Sequence, residues 1–213
     1  MANDVIMKKI VLIGGGGHCK SVLDALLRTN DYSRIVITDP DIKVGTKVFG
    51  CQVVGNDNEL ERLILDGFKY AFITVGSIID TSLRKKLADK IEKIGFKIPI
   101  IIDPAATVSE YAKIGKGTFV GKNTVINADS EIGKNCIINT GSIIEHECYV
   151  SDFVHVSVGS ILCGNVHIGK ESFIGAGATV IQGVKIGSNT IVGANSTVLK
   201  DVGDNTTVYG IVK

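Results

Sequence analysis

The chain has 213 residues, enough for one large domain or two modest ones, and 45% of them are apolar. Its formal net charge is +1 without a basic stripe, which argues against nucleic acid as the main partner. The five cysteines are an odd number at irregular spacing, which argues against a disulfide framework and favours a reducing cytoplasm.

Residues 1–17 contain an apolar stretch that is too short to span a membrane and has no export cleavage site, so no membrane partner is expected. Beyond it, strand-like and helix-like segments alternate. β-Branched runs predict strands at Lys9–Ile13, Arg34–Thr38, Tyr70–Val75 and Ile98–Ile102. Helical periodicity and capping residues predict helices at His18–Arg28, Asn56–Leu65 and Ser82–Ile94. Residues 1–103 are therefore predicted to form an α/β domain with a small Rossmann-like parallel sheet.

A run of four glycines, Gly14–Gly17, joins the first predicted strand to the first predicted helix. Backbone N–H groups and the helix N-terminus can hold a phosphate there. The dinucleotide pattern would need its last glycine at Cys19 or Lys20, so a nucleoside diphosphate fits better than NAD. Asp39 ends the second strand, where an acidic residue meets a ribose or a base. A tight turn without a ligand is the alternative.

Beyond Pro104 the sequence repeats every six residues. Sixteen aliphatic residues follow one another at this spacing, from Val108 to Val198, and a small residue or valine precedes each by two positions. The position directly after is frequently Gly or Asn, which we expect to accommodate a corner. Period six is typical of the hexapeptide β-helix. We therefore predict an all-β parallel β-helix over residues 104–213.

In such a prism three hexads make one coil, so residues eighteen apart share a column. His146, two residues after the core residue Ile144, and Glu147 then point outward, and Gly164 lies one coil beyond His146. An imidazole beside a backbone N–H can act as a general base next to an oxyanion donor. Glu147 or Glu145 would orient the ring. An ordinary exposed histidine is the alternative reading of His146.

The remaining histidines and the β-helix cysteines fit structural roles. His155 and His167 each precede a core aliphatic residue, and the spacings of nine and twelve differ from the His-x4-His pair of zinc-binding prisms, so no metal is expected. Cys136 and Cys148 occupy the inward small-residue position, where thiols behave as compact hydrophobes. A cysteine nucleophile is therefore not expected.

The two halves together resemble the bacterial sugar acetyltransferases grouped around sialic acid O-acetyltransferase and the UDP-4-amino-sugar N-acetyltransferases of bacillosamine synthesis. The segment 14–20 (GGGGHCK) resembles the opening glycine loop of that family, and 139–148 (NTGSIIEHEC), with 155–159 and Gly164-Asn165, resembles its active-site block. Two segments depart from the pattern. Thr38-Asp39-Pro40 lacks the paired acidic residues, and Tyr209–Lys213 stands where many members have Gly-x-Pro-Ala-Lys.

The resemblance implies a left-handed β-helix, acetyl-CoA as co-substrate, a nucleotide-sugar acceptor, and a homotrimer with acetyl-CoA between adjacent prisms. It implies His146 as general base with Glu147 as its partner, a contact from His155 to acetyl-CoA or the acceptor, and a contact from the Gly164 amide to the acetyl oxygen of acetyl-CoA. The residues implied to bind the nucleotide-sugar are Gly14, Gly15, Gly16, Gly17, His18, Asp39 and Ser77.

The activity expected from this resemblance is N-acetylation of a nucleotide-linked amino-sugar in bacterial surface-glycan synthesis, by direct attack and without an acyl-enzyme. Two alternatives stay open. One is O-acetylation of sialic acid or another sugar hydroxyl, and the other is a non-catalytic trimeric scaffold that binds nucleotide-sugar.

Overall fold

The computed structural model describes residues 8–213, which divide into two compact units. One unit contains the described residues up to Gly76 together with Ser82–Pro99, and the other contains Ser77–Thr81 and Ile100–Lys213. The prediction that the N-terminal stretch is neither an export signal nor a membrane span concerns in part residues 1–7, which lie outside the described residues. Within residues 8–213, no helix is long and apolar enough to cross a bilayer.

The first unit is an α/β layer built on one five-stranded sheet. Its strands are β1 (Lys9–Ile13), β2 (Arg34–Thr38), β3 (Lys47–Val48), β4 (Cys51–Gly55) and β5 (Tyr70–Ile73). Its helices are α1 (Gly17–Thr29), α2 (Leu60–Leu65), which follows a 3-10 turn at Asp57–Glu59, and α3 (Ser82–Ile94). The strand order is β3-β4-β2-β1-β5, and every pairing is parallel except β3 with β4. The predicted parallel sheet is confirmed.

Two strand assignments differ from the sequence prediction. β3 and β4 were not predicted, because their short hairpin at the sheet edge alternates buried and exposed residues over only a few positions. The predicted strand Ile98–Ile102 is too long. Lys97 forms only an isolated bridge with Tyr70, and the strand is confined to Ile101–Ile102, which pairs with a β-helix strand.

The second unit is a three-sided parallel β-helix. Its first face contains β6 (Ile101–Ile102), β9 (Phe119–Val120), β12 (Ile137–Ile138), β15 (His155–Val156), β18 (Phe173–Ile174), β21 (Ile191–Val192) and β23 (Thr207–Val208). Its second face contains β7 (Thr107–Val108), β10 (Val125–Ile126), β13 (Ile143–Ile144), β16 (Ile161–Leu162), β19 (Thr179–Val180), β22 (Thr197–Val198) and β24 (Ile211–Val212). Its third face contains β8 (Lys113–Ile114), β11 (Glu131–Ile132), β14 (Tyr149–Val150), β17 (His167–Ile168) and β20 (Lys185–Ile186).

Residues eighteen apart pair across neighbouring coils, as the hexad spacing predicts. Ile137, for example, pairs with Phe119 on one side and with His155 on the other. The hexad aliphatic residues from Val120 to Val198 are at most 4% exposed and form a continuous core. Small polar residues two positions earlier satisfy backbone carbonyls of the next coil, as Thr124 Oγ1 does for Asn139 O at 2.9 Å. The interior is therefore apolar without leaving these carbonyls unpaired.

The corners of the prism lie three residues after each core aliphatic residue. From Gly117 to Asn195 these corner residues have left-handed backbone with φ between 53° and 76°, and most are Gly, Asn or Asp. The corner exceptions are Glu147, Phe153 and Glu171.

The expectation that the glycine directly after the aliphatic residue serves the corner is wrong. A Cβ at Gly169, for example, would lie 2.4 Å from the backbone nitrogen of Ser188 in the next coil. At Gly169 it is therefore the close approach of the stacked coils, and not a corner conformation, that favours glycine.

Candidate active site

His146 lies in the turn after β13, and its ring is 52% exposed. Nδ1 lies 3.0 Å from Oε2 of Glu147. Since a carboxylate accepts hydrogen bonds, Nδ1 carries the hydrogen and Nε2 keeps the lone pair that can accept a proton. Glu145 instead faces the backbone nitrogen of His146, at 3.4 Å. Of the two glutamates considered from the sequence, Glu147 is therefore the one that orients the ring.

Gly164 lies directly beneath this ring, in the turn after β16. A Cβ added to Gly164 would lie 2.6 Å from both Cε1 and Nε2 of His146. The corresponding positions in the flanking coils are Ala128 and Gln182, so the coil itself does not require glycine here. The absence of a side chain at Gly164 is what leaves room for the imidazole.

The Gly164 N–H stands outside the hydrogen-bond ladder that joins the coils. Its neighbours take part in the ladder, with Cys163 N donating to Val180 O at 3.0 Å and Asn165 N donating to His146 O at 2.9 Å. Within residues 8–213, Gly164 N has no backbone acceptor. A backbone donor therefore remains available beside the lone-pair nitrogen of the imidazole, as stabilisation of an oxyanion requires.

Cys148 points into the core rather than toward His146. Its Sγ lies 3.2 Å from the carbonyl oxygen of Cys163, and burial is the main reason that its thiol pKa rises from the ordinary 9.0 to about 11. The thiol is therefore protonated at neutral pH and a poor nucleophile.

Replacing Cys148 by Ala should leave turnover within about twofold, since alanine already occupies the equivalent inward position of another hexad at Ala178. Because the folded-state pKa of Cys148 is raised, its contribution to stability is complete below pH 9 and is lost as pH rises from about 9 to about 11. Cys148→Ala should therefore lose less stability than the parent across that interval. Urea unfolding at pH 8 and pH 10.5 measures this, and an unchanged pH dependence would contradict it.

His155 lies on the first face, on a different face from the turn that carries His146. It is only 8% exposed, its Nδ1 lies 2.6 Å from the carbonyl oxygen of Ser77, and its Nε2 lies 3.3 Å from Nδ2 of Asn139. His167, on the third face, lies beside Tyr149 with ring centroids 6.1 Å apart. Among residues 8–213, no three His, Cys, Asp or Glu side chains converge as metal ligands.

A cavity of about 440 Å³ lies in the α/β unit at the carboxyl ends of β1, β2 and β5, where ligands bind in parallel α/β sheets. The predicted nucleotide-binding residues that line it are Gly14, Gly16, Gly17, His18 and Asp39. Gly16 is the N-cap of α1, and the first helical turn has neither a side-chain cap nor an acidic residue. The helix N-terminus therefore presents backbone N–H groups suited to an anion.

The glycine loop holds its shape through close backbone contacts. Gly14 has φ +104°, and a Cβ there would lie 2.8 Å from Cγ2 of Val75. The Gly15 N–H donates to Oδ2 of Asp39 at 2.7 Å, while Oδ1 of Asp39 accepts from the N–H groups of Asp41 and Ile42 at 2.8 and 3.1 Å. Asp39 therefore ties the glycine loop to the segment after β2, in addition to lining the cavity.

Two of the predicted nucleotide-binding residues are not part of the cavity wall. Gly15 is turned toward Asp39, and Ser77 belongs to the β-helix unit, where its carbonyl accepts from His155.

Some residues that shape the cavity were not predicted. Asp57 lines it from the turn after β4, a strand that the sequence reading missed. Arg84 in α3 is buried, and its Nη1 donates to the carbonyl oxygens of Val75 at 2.5 Å and Ile73 at 3.3 Å. A charged residue in an amphipathic helix is predicted to be exposed. Only the structure shows that Arg84 is buried against β5 and holds the backbone that lines the cavity.

Together, a hexapeptide β-helix with an exposed His-Glu pair and an α/β unit with a glycine-lined cavity are typical of the hexapeptide acyltransferases. Residues 9–91 match the family described as PglD N-terminal domain, and residues 111–146 and 165–200 match bacterial transferase hexapeptide repeats. The first match falls on the α/β unit and residues 77–81, and the two hexapeptide matches fall on the β-helix unit.

Two solved structures match nearly the whole chain. A variant of perosamine N-acetyltransferase from Caulobacter crescentus, in complex with CoA and GDP-perosamine, is 39% identical, with 95% of this chain and 93% of that chain covered and a TM-score of 0.88. The acetyltransferase domain of PglB from Neisseria gonorrhoeae is 34% identical, with 95% and 97% covered and a TM-score of 0.90. The same domain has been solved with acetyl coenzyme A.

Curated relatives match over shorter segments. UDP-N-acetylbacillosamine N-acetyltransferase from Bacillus subtilis is 35% identical over 116 residues, which are 54% of this chain and 51% of that protein. A mimivirus protein, L142, is 31% identical over 122 residues, which are 57% of this chain and 23% of that protein. The matched segments thus span about half or less of these relatives. On the full-length structural matches, the chain belongs to the family of bacterial sugar N-acetyltransferases, and the predicted left-handed β-helix and family are confirmed.

Proposed function

We propose that the protein transfers the acetyl group of acetyl-CoA to the amino group of a nucleotide-linked sugar, with His146 as the general base. The proposed chemistry rests on one observation. The His146 imidazole lies over Gly164, whose backbone N–H has no backbone acceptor within residues 8–213. The family supports the choice of reaction, since its members include perosamine N-acetyltransferase and UDP-N-acetylbacillosamine N-acetyltransferase.

In the proposed reaction the acceptor nitrogen attacks the thioester carbonyl carbon, forming the C–N bond while the C–S bond breaks. Nε2 of His146 takes the proton that the amine loses, and the Gly164 N–H stabilises the negative charge that develops on the acetyl oxygen. The proton then passes from the imidazolium to the departing CoA thiolate. Glu147 stabilises the imidazolium through Nδ1. No cysteine participates, in keeping with the buried and protonated thiol of Cys148.

The cavity of the α/β unit would hold the nucleotide part of the acceptor. The uncapped first turn of α1 and the open space around Gly16 and Gly17 suit a diphosphate. His18 and Asp39 line the same cavity and would contact the remaining groups of the nucleotide. The relatives support this class of acceptor, since one is bound to GDP-perosamine and another is named UDP-N-acetylbacillosamine N-acetyltransferase.

Assembly into a homotrimer, with acetyl-CoA between adjacent prisms, is part of the proposal and comes from the family resemblance. His155 belongs to this proposal as a residue of the acetyl-CoA side, although its ring nitrogens already contact Ser77 and Asn139. A cytoplasmic location and a role in surface-glycan synthesis stay predictions from the sequence.

A CoA-release assay across UDP-, GDP- and dTDP-linked amino-sugars, with free sialic acid as competitor, tests this function. We expect release with at least one nucleotide-linked amino-sugar, and product carrying a new amide by mass spectrometry. Release only with sialic acid, giving an ester, would replace N-acetylation by O-acetylation. Nucleotide-sugar binding without acetyl-CoA binding in calorimetry would instead favour the non-catalytic scaffold.

Glu147 offers a test of the base in which stability and activity should move in opposite directions. It occupies a left-handed corner with φ 59°, whereas the corners at 129 and 165 in the flanking coils carry Asp and Asn. Glu147→Asn should therefore keep or raise the free energy of unfolding, by up to ~1 kcal/mol. Turnover should fall by about tenfold because Nδ1 of His146 loses its carboxylate. Unchanged turnover in a folded variant would show that Glu147 does not assist the base.

A further inference from the structure

Residues Ser77–Thr81, here called the strap, belong to the β-helix unit although the chain on either side belongs to the α/β unit. The two ends of the strap are buried, Ser77 at 7% and Thr81 at 9% exposed, while Ile78 and Ile79 between them are 64% and 77% exposed. A segment that is buried at both ends and exposed in its middle is attached at two points. Each point involves a β-helix side chain.

The first attachment is made by His155. A carbonyl oxygen can only accept, so the 2.6 Å contact to Ser77 O makes Nδ1 of His155 the donor. Nε2 is then the acceptor for Nδ2 of Asn139, at 3.3 Å. Phe173 packs edge-to-face on the ring, with centroids 5.1 Å apart. One tautomer of the neutral ring therefore satisfies both contacts, and the surrounding packing fixes its orientation.

The second attachment is made by Glu171, whose Oε2 accepts from Thr81 Oγ1 at 2.5 Å. Glu171 occupies a left-handed corner with φ 62°, a conformation that costs energy for a residue other than Gly, Asn or Asp. The same corner carries Asn135, Phe153 and Asn189 in other coils. The strain is explained if the longer glutamate side chain is needed to reach Thr81.

The strap is continuous in sequence with the wall of the cavity in the α/β unit. Val75 and Gly76, which directly precede it, and Leu83, two residues after it, all line that cavity. Arg84 holds the carbonyl oxygen of Val75. Fixing the two ends of the strap therefore restrains the cavity wall through the covalent chain on both sides.

We propose that His155 and Glu171 are positioning residues that fix the strap and, through it, the wall of the acceptor cavity. This inference rests on the proposed function, because the cavity is taken as the acceptor site. It assigns Glu171 and Thr81 a role, and it adds an effect on the acceptor to the acetyl-CoA contact proposed for His155. A contact of His155 with acetyl-CoA predicts that its replacement changes the KM for acetyl-CoA, whereas positioning of the strap predicts a change in the KM for the nucleotide-sugar.

Glu171→Asn is the sharpest test because it relieves the strained corner while it removes the carboxylate that reaches Thr81. We expect an unchanged or higher melting temperature and a KM for the nucleotide-sugar raised by roughly three- to thirtyfold, the effect of one lost buried hydrogen bond. The KM for acetyl-CoA should stay within about twofold. Thr81→Val removes the same bond from the other side, so the double variant should be no worse than either single one.

His155 is tested by a pair of variants that differ in the Nδ1 donor. His155→Phe keeps an aromatic ring against Phe173 but leaves the buried Ser77 carbonyl without its donor. His155→Asn places an amide N–H near the position of Nδ1. We expect the nucleotide-sugar KM to rise in His155→Phe and to recover in part in His155→Asn. A rise confined to the acetyl-CoA KM in both variants would overturn the positioning role of His155.

Hydrogen exchange of the full chain provides a readout that does not depend on catalysis. Peptides covering residues 74–81 should exchange about tenfold faster in Glu171→Asn and His155→Phe than in the parent, while peptides of the β-helix core stay unchanged. Unchanged exchange at residues 74–76 overturns the inference even if the parent is active. If residues 74–76 exchange faster in the two variants than in the parent, but the parent shows no acetyl transfer, the inference about the cavity wall is kept and the proposed function is rejected.

Discussion

His146→Ala should lower turnover by roughly two to four orders of magnitude, the usual effect of losing a general base. The ring is half exposed, and its Nδ1 contacts the exposed Glu147, so its removal should change the melting temperature little. The measurement is CoA release at saturating acetyl-CoA and nucleotide-sugar, together with thermal unfolding. The KM values should change less than turnover, because the lost interaction operates on the proton in the transition state.

His167→Ala is the matched control. His167 is also a β-helix histidine with an outward side chain, but it lies on the third face against Tyr149. We expect this variant to keep activity within about twofold. Near-full turnover in His146→Ala would remove His146 from the mechanism, and equal losses in both variants would point to a general effect on the fold.

Gly164→Ala should retain the fold and lose about a hundredfold or more in turnover. Gly164 does not have left-handed backbone, and the three atoms nearest to an added Cβ all belong to the His146 ring, at 2.6 to 3.3 Å. The methyl group can therefore be accommodated if the imidazole swings away. Misplacement of a catalytic group by about 1 Å can cost a hundredfold in rate. The free energy of unfolding should change by less than about 1 kcal/mol.

Two comparisons isolate the contact between Gly164 and His146. In His146→Ala the ring is absent, so adding Gly164→Ala should cause little further loss, and the two effects should be strongly non-additive. Gly203→Ala is the control for a glycine-to-alanine change, since Gly203 has ordinary backbone and open space around its Cα. Full activity of Gly164→Ala would mean that the imidazole does not work from its position over residue 164.

Much of the β-helix was predictable because its geometry follows from the regular spacing of residues along the sequence. A period of six fixes three strands to a coil, and a step of eighteen fixes which residues share a column, whatever the rest of the chain does. His146 and Gly164 could therefore be paired from their numbers alone. The corner assignment failed because glycine serves two needs in this coil: left-handed backbone at positions such as Gly117, and close stacking at positions such as Gly169.

The α/β half was predicted in its main strands and helices but not at its edges. The hairpin of β3 and β4 is too short for its alternation of buried and exposed residues to be recognised in the sequence. Asp57, which follows β4 and lines the cavity, was therefore not predicted either. Arg84 was not predicted for a different reason: its burial depends on the carbonyl oxygens of Ile73 and Val75, which it meets only when α3 folds back against the sheet. Both failures concern contacts that only the assembled sheet creates.

The sequence by itself determined the repeat, the coil and the column that joins His146 to Gly164, because these follow from regular spacing along one stretch of chain. Only the tertiary structure decided that Glu147 rather than Glu145 meets the imidazole and that Asp39 binds the glycine loop. It also decided that residues 77–81 join the β-helix through His155 and Glu171. Those contacts depend on rotamers and on segments far apart in the chain, which no local periodicity records.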